Sequence, residues 1–150
     1  MELAKKMDIL LIPYSKCSVE KRSLLMVASK EGVSCFDSSR GRKYIIYFND
    51  QIKCKQRIRF TIMHEIGHIV LEHGASSEQT ESEADFFARN ALAPMPIMID
   101  RKIYNLEEIQ ETFDISEPCA INVLRTLNAR IEKGYEKLFS NELKLVQMFK

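Results

Sequence analysis

The chain has 150 residues and nearly balanced charge, with 22 basic against 21 acidic side chains and a formal net charge of +1. This length fits one domain with its own hydrophobic core, so we predict a single domain over residues 1–150. The near-neutral charge argues against a surface for polyanions, and the sequence predicts no direct binding to nucleic acid.

The cysteines and the N-terminal segment indicate where the protein works. The four cysteines include no Cys-x-x-Cys pair, which excludes a cysteine-based zinc knuckle and is typical of free thiols in a reducing compartment. The apolar run at 9–12 is too short for a signal-peptide core or a membrane span. We therefore predict a cytoplasmic protein without membrane association.

Short apolar runs over the first fifty residues predict a small sheet. After an opening helix at 1–7, we predict strands at four segments: 9–12, 24–28, 33–36 and 44–48. Residues 15–22 are polar and predict a loop, and Ser38 to Gly41 predict a turn. The strand at 44–48 directly precedes a helix. It is either an edge strand, able to pair with an extended substrate, or an interior strand.

The rest of the chain predicts helices. Apolar residues recur with a helical period over about 52–74. A second helix is predicted over about 77–92, before Pro94 and Pro96, and residues 97–150 predict three or four short helices. The sequence thus predicts an α+β fold, with a small N-terminal β-sheet followed by two long helices and a C-terminal helical segment.

The first long helix carries a His-Glu-x-x-His motif on its polar face. At about 100° per residue, His64, Glu65 and His68 lie opposite the apolar back of the helix. Histidines four residues apart project from the same side and share one metal ion. Glu65 lies one position round and reaches a metal-bound water without binding the metal, as a general base requires. The pattern predicts a catalytic Zn²⁺ site with His64 and His68 as ligands.

The third metal ligand sets the subclass of such a site. A metzincin places a glycine at position 71 and a histidine at position 74, where this chain has Leu71 and Gly74. The metzincin pattern is therefore absent. A glutamate from the second long helix is the alternative, which makes the predicted arrangement gluzincin-like.

Glu81 and Glu83 compete for this third position. Glu81 shares a helix face with Ala84 and Asp85. Ala84 is small enough to admit a neighbouring helix, and the carboxylate of Asp85 can accept a hydrogen bond from a ligand histidine. Glu83 faces another side and fits the third position of a capping box that begins at Thr80. By facing, we assign Glu81 as the ligand and Asp85 as the carboxylate that orients a ligand histidine. His73 and Glu78 are predicted to be solvated.

Three segments together match the conserved blocks of one enzyme family. Residues 59–68 read RFTIMHEIGH, against the block RFTxAHExGH, and residues 81–88 read ESEADFFA, against ExEAxxFA. Residues 113–120, FDISEPCA, match FxVSxxA more weakly. Met63 replaces the usual alanine, and Ala93 replaces the second leucine of an LLxP ending; neither is a predicted ligand. On these blocks the chain resembles the ImmA/IrrE family of zinc metallo-endopeptidases.

The resemblance implies a zinc-dependent endopeptidase that cleaves a helix-turn-helix transcriptional repressor at a defined site and thereby relieves repression. Composition and periodicity carry no information on that substrate. Hydrolysis also requires a side chain that stabilises the oxyanion. The sequence offers three unranked candidates for this role: Tyr47, Arg89 and Tyr104.

Two alternatives come from other functional classes. Residues 106–127 predict a helix, a turn and a helix, as in a DNA-binding module. However, residues 100–133 hold seven acidic and five basic side chains, whereas a phosphate-contacting surface is locally basic. The second alternative is a zinc-binding regulatory adaptor without proteolytic turnover. Such a site has no use for the carboxylate of Glu65.

Overall fold

The computed structural model describes residues 2–38, 43–135 and 137–149. It has an α+β fold in which a three-stranded sheet precedes the main helices, as predicted. The elements are α1 (Glu2–Lys6), β1 (Leu10–Pro13), α2 (Val19–Ala28), β2 (Gly32–Asp37), β3 (Lys43–Phe48), α3 (Lys55–Val70), α4 (Glu78–Leu92), α5 (Met95–Arg101), α6 (Leu106–Phe113), α7 (Glu117–Glu132) and α8 (Ser140–Met148). The turn predicted at Ser38–Gly41 falls largely on residues 39–42, outside the described residues.

The chain divides into two compact units, Met1–Ala88 and Arg89–Lys150. The first contains α1, α2, the sheet, α3 and most of α4, and the second contains the end of α4 and the helices α5 to α8. Among the described residues, no helix combines the length and the apolar character that crossing a bilayer demands.

The sheet has the strand order β1-β3-β2. β3 pairs with β1 in parallel and with β2 in antiparallel orientation. The strand predicted at 44–48 is therefore the interior strand, and the edge alternative for it is wrong. β2 is the edge strand on one side, with Ser34 opposite Ile46.

Alternation along β3 builds a core on both faces of the sheet. Ile45 and Tyr47 point to one face, where they form a buried cluster with Tyr14 and Leu25. Ile46 points to the opposite face and is fully buried. On that side α3 packs against β2 and β3 with its own buried apolar back, which consists of Ile62, Met63 and Ile66.

The segment 24–28, predicted as a strand, is instead the second half of α2. Ser18 caps the start of the helix, and its hydroxyl accepts a hydrogen bond from the Lys21 amide at 3.3 Å. Only one side of the apolar run is buried: Leu25 is 9% exposed, whereas Val27 is 88% exposed. A short apolar run fits either period, and the N-terminal cap that favours the helix lies in a segment predicted as loop.

The start of β2 lies very close to α3. A Cβ atom added to Gly32 would lie 2.6 Å from the Thr61 Cγ2 atom, so only glycine permits this approach. The neighbouring Glu31 forms an ion pair with Arg57 and accepts a hydrogen bond from the Thr61 hydroxyl at 3.3 Å. These contacts fix the edge strand beside the helix that carries the His-Glu-x-x-His motif.

In the second unit, α6 and α7 pack against each other, and their buried residues include Ile109 and Leu127. Arg130, at the end of α7, forms a bidentate ion pair with Glu142 of α8, with N–O distances of 2.5 and 2.8 Å. Their side chains are only 12% and 15% exposed. Glu142 also accepts a hydrogen bond from the Phe139 amide at the start of α8. This pair ties α8 to the end of α7.

We expect Glu142→Gln to lower the free energy of unfolding by about 2–3 kcal/mol at neutral pH, because it leaves a largely buried guanidinium without its counter-charge. Hydrogen bonding to Arg130 lowers the pKa of Glu142. A lowered folded-state pKa gives stability that is present above the unfolded pKa, about 4.3, and that is lost as the pH falls through the folded value. Denaturant unfolding should therefore show the difference between wild type and variant shrinking in acid. A difference that is independent of pH would contradict this account.

Candidate metal centre

The amphipathic helix α3 presents two histidines to a cleft. Its back is buried in the core, while His64 and His68 lie on the other side with side chains 17% and 16% exposed. Because they are one turn apart, their rings are adjacent, with centroids 4.7 Å apart. Their Nε2 atoms approach each other to 3.0 Å.

Glu81, in the first turn of α4, completes the group. Its Oε2 atom lies 3.3 Å from the His64 Nε2 atom, and its Oε1 atom lies 3.6 Å from the His68 Nε2 atom. The Ser76 hydroxyl donates a hydrogen bond to Oε1 at 2.8 Å and so holds the carboxylate in place. His64, His68 and Glu81 are positioned to bind a metal ion, and the part of the chain that the structure describes contains no second such group.

The distances between the three ligand atoms fit a small cation. Ligands at about 2.0–2.1 Å from a tetrahedral ion are separated by about 3.3 Å, and the three separations here are 3.0, 3.3 and 3.6 Å. Two imidazole nitrogens and one carboxylate oxygen form a mixed N/O donor set typical of first-row transition metals. The residues therefore fit a metal cofactor.

Asp85 fixes the orientation of His64. Its Oδ1 atom lies 2.8 Å from the His64 Nδ1 atom. An ionised carboxylate only accepts hydrogen bonds, so Nδ1 of His64 carries the proton and Nε2 presents its lone pair to the cleft. Asp85 thus lies where the sequence predicted a carboxylate that orients a ligand histidine.

His73 and Glu83 differ from their predicted roles. His73 was expected to be solvated, but its side chain is only 7% exposed and its Nδ1 atom lies 2.9 Å from the His68 Nδ1 atom. Glu83 contacts His73 Nε2 at 3.0 Å. The capping box begins at Ser77 instead of Thr80, because Ser77 and Thr80 exchange backbone and hydroxyl hydrogen bonds. The cap therefore lies three residues before the predicted one, the helix itself begins where it was predicted, and Glu83 does not occupy a capping position.

Glu65 lines the same cleft as the two histidines and Glu81. The backbone N–H of Ser34, on the edge strand β2, donates a hydrogen bond to Glu65 Oε2 at 2.8 Å. The cleft has a volume of about 810 Å³ and is bounded by the 28–34 segment on one side and by α3 on the other. The Ser34 contact was not predicted, because it uses a backbone amide that no residue type reveals.

The electrostatics of the site favour the metal-binding forms of the ligands. Burial, reinforced by the neighbouring His64, lowers the pKa of His68, which keeps this imidazole neutral at neutral pH. The hydrogen bond from Ser76 lowers the pKa of Glu81, and the two histidines act in the same direction. A neutral imidazole and a charged carboxylate are the forms that bind a metal.

Of the three residues predicted as candidates for stabilising the oxyanion, Tyr47 lies away from the cleft. Tyr47 is buried in the sheet, and its hydroxyl lies 2.5 Å from the Lys21 Nζ atom. It is not among the residues that line the cleft. Arg89 and Tyr104 belong to the second unit, so their role stays a prediction.

Histidines one turn apart on a helix, a glutamate from the next helix and a further glutamate in the same cleft define a candidate metallopeptidase centre. The sequence model of the IrrE N-terminal-like domain, the peptidase M78 family, matches residues 11–125. The chain belongs to this family, which confirms the predicted resemblance. No curated protein and no solved structure matches the chain.

Close packing between α3 and α4 brings Glu81 to the histidines. A Cβ atom added to Gly67 would lie 3.2 Å from both the Cα and the carbonyl oxygen of Ala84, and 3.1 Å from a ring carbon of Phe87. Ala84 and Ala88 are fully buried, as expected for the small residues of the ligand-bearing face. Gly67 is therefore a point of close backbone approach between the two helices.

We expect Gly67→Ala to lower the free energy of unfolding by about 1–2 kcal/mol, because overpacking against a helix backbone outweighs the better helix propensity of alanine. Gly74→Ala is the matched control, since a Cβ atom there meets nothing within 4 Å. Denaturant unfolding of the metal-free proteins measures both effects. Equal stability of the two variants would show that α4 yields easily and that Gly67 does not set the helix spacing.

Proposed function

We propose that this protein is a zinc-dependent endopeptidase. The observation that carries the proposal is that the metal-binding group and the carboxylate of Glu65 line one cleft, with Glu65 held by the Ser34 amide. Membership of a peptidase family supports the same reaction class. A purely structural zinc site is normally closed by a fourth protein ligand and has no role for such a carboxylate.

His64, His68 and Glu81 hold the metal in this proposal. Zinc, when bound, supplies Lewis-acid chemistry: it polarises the scissile carbonyl and makes water a nucleophile at neutral pH. Glu65 is the general base. The Ser34 hydrogen bond occupies Oε2 and fixes the plane of the carboxylate, so we assign proton transfer to Oε1. This oxygen takes a proton from the attacking water and delivers it to the leaving amine.

Zinc is the proposed ion because its tetrahedral preference and its affinity for mixed N/O ligands suit this donor set. Protein purified without chelator should contain about one zinc per chain by metal analysis. Glu81→Ala should weaken zinc binding about 10-fold or more, a lower limit taken from the effect of residues that only orient ligands. A well-folded wild-type protein with no zinc and no measurable zinc affinity would remove the proposal.

The proposed substrate is a helix-turn-helix transcriptional repressor, as the family resemblance implies. The cleft supports a polypeptide substrate in general terms, because its wall includes the edge strand β2. An extended segment of a substrate protein that adds to this edge would lie beside Glu65. The same function fits a cytoplasmic location, for which the four free cysteines are further support.

We expect Glu65→Gln to bind zinc and fold like the wild type while losing cleavage, because the substitution removes the base and leaves the three ligands intact. Both proteins are incubated with repressors encoded beside the gene, and products are mapped by mass spectrometry. A defined cut by the wild type that is absent with Glu65→Gln supports the proposal. Loss of zinc from Glu65→Gln would instead identify Glu65 as a ligand. Equal cleavage by both proteins would refute its role as base.

A further inference from the structure

The C-terminus of α3 turns His73 back onto a metal-binding residue. Glu72 adopts a left-handed conformation with φ 54°. Its amide donates to the Ile69 carbonyl at 3.3 Å, and the His73 amide donates to the His68 carbonyl at 3.0 Å. These two hydrogen bonds form a Schellman motif, which satisfies the last carbonyls of the helix. The motif places the backbone of His73 directly against His68.

The side chain of His73 repeats this contact at the imidazole. Its Nδ1 atom lies 2.9 Å from the His68 Nδ1 atom, and the rings cross at 73° with centroids 5.0 Å apart. On its far side, His73 Nε2 lies 3.0 Å from Glu83 Oε2. Glu83 is itself held by a 2.8 Å hydrogen bond from the Gln79 side-chain amide. His73 therefore bridges His68 and the carboxylate of Glu83.

The carboxylate of Glu83 fixes the direction of both hydrogen bonds in the series from Glu83 through His73 to His68. An ionised Glu83 only accepts, so the Nε2–H group of His73 donates to it. A neutral His73 then has its acceptor at Nδ1, and His68 must donate from its own Nδ1–H group. The lone pair of His68 consequently lies on Nε2, the atom that faces the Nε2 atom of His64 at 3.0 Å. Two lone pairs at this distance repel each other unless a cation lies between them.

We propose that His73 and Glu83 are positioning residues of the metal centre, which fix the tautomer and ring plane of His68 as Asp85 does for His64. The proposal rests on the metal centre of the proposed function. It assigns each ligand histidine its own carboxylate, one in direct contact and one through an intervening imidazole. Such partners of ligand histidines raise metal affinity because the ring no longer has to be ordered when the metal binds.

Four variants separate this role from a merely structural one. His73→Leu introduces an apolar side chain of similar size and removes the acceptor for His68. His73→Asn restores an acceptor, since its Oδ1 atom takes nearly the position of the histidine Nδ1 atom. Glu83→Gln removes the charge that orients His73. Glu78→Gln, an exposed glutamate on the same helix, is the matched control for Glu83.

Two measurements report on the metal centre without requiring activity. Zinc affinity is determined by competition with a chromophoric chelator, and the visible absorption spectrum of the Co²⁺-substituted protein reports the geometry of the ligands. We expect His73→Leu to weaken zinc binding about 10-fold or more and to change the Co²⁺ spectrum. His73→Asn should recover most of both properties. Glu83→Gln should lie between wild type and His73→Leu, and Glu78→Gln should match the wild type.

The outcomes distinguish this inference from the proposed function. A wild-type protein that binds no zinc would defeat the proposed function before any variant is compared. Tight binding by the wild type with unchanged affinity in His73→Leu and Glu83→Gln would overturn this inference alone. If His73→Leu does not fold, Glu83→Gln decides: affinity equal to that of Glu78→Gln overturns the inference, and weaker affinity supports it.

Discussion

The contact between α3 and α4 at Gly67 is the constraint on which the metal centre depends. Its histidines come from one helix and its glutamate from the other, so the spacing of the helices sets the distances between the ligand atoms. A glycine opposite a buried alanine lets the backbones approach closely enough for a short glutamate side chain to reach both imidazoles. Larger residues in place of Gly67 and Ala84 would move Glu81 away from the histidines, even though all three ligand residues were still present in the sequence.

Two carboxylates that are not themselves metal ligands orient the imidazoles of His64 and His68. Asp85 contacts His64 directly, and Glu83 is linked to His68 through His73. Both ligands are thereby held in the tautomer with Nε2 free to coordinate, before any metal binds. The sheet contributes in the same way, because the edge strand holds Glu65 through a backbone amide. The cleft is thus organised by groups that never touch the metal.

Helical periodicity was sufficient to predict that His64, His68 and Glu81 lie together, in positions suited to a metal ion. The spacing of His64 and His68 and the small residues around Glu81 are properties of regular helices, for which a wheel gives the geometry directly. The same reasoning failed where a helix ends. His73 reaches His68 because Glu72 turns left-handed, and a glutamate gives no sequence signal for this conformation, unlike the glycine that usually occupies it. The Ser34 contact was invisible for another reason, since every residue except proline offers a backbone amide.

In the sheet and in the second unit, too, local sequence pattern predicted the elements that it determines and missed the features that depend on tertiary contacts. Strand β3 was predicted because its apolar run is flanked by turn residues, but its interior position depends on pairing between distant segments, which local pattern does not encode. The run at 24–28 was too short for its period to distinguish a strand from a helix. The Arg130–Glu142 ion pair joins α7 to α8. Because the relative placement of two helices is a tertiary property, the local sequence did not predict this pair.

The Schellman motif after α3 makes the last turn of the helix part of the metal centre. Helix ends normally fray with little free-energy cost, independently of the rest of the domain. Here fraying beyond Ile69 would carry His73 away from His68 and release a metal ligand from its orientation. Any ion bound to the centre therefore also opposes local unfolding of this turn, by the linkage that couples ligand binding to conformational stability. The order of the loop that leads into α4, and with it the approach of Ser76 to Glu81, becomes a function of metal occupancy.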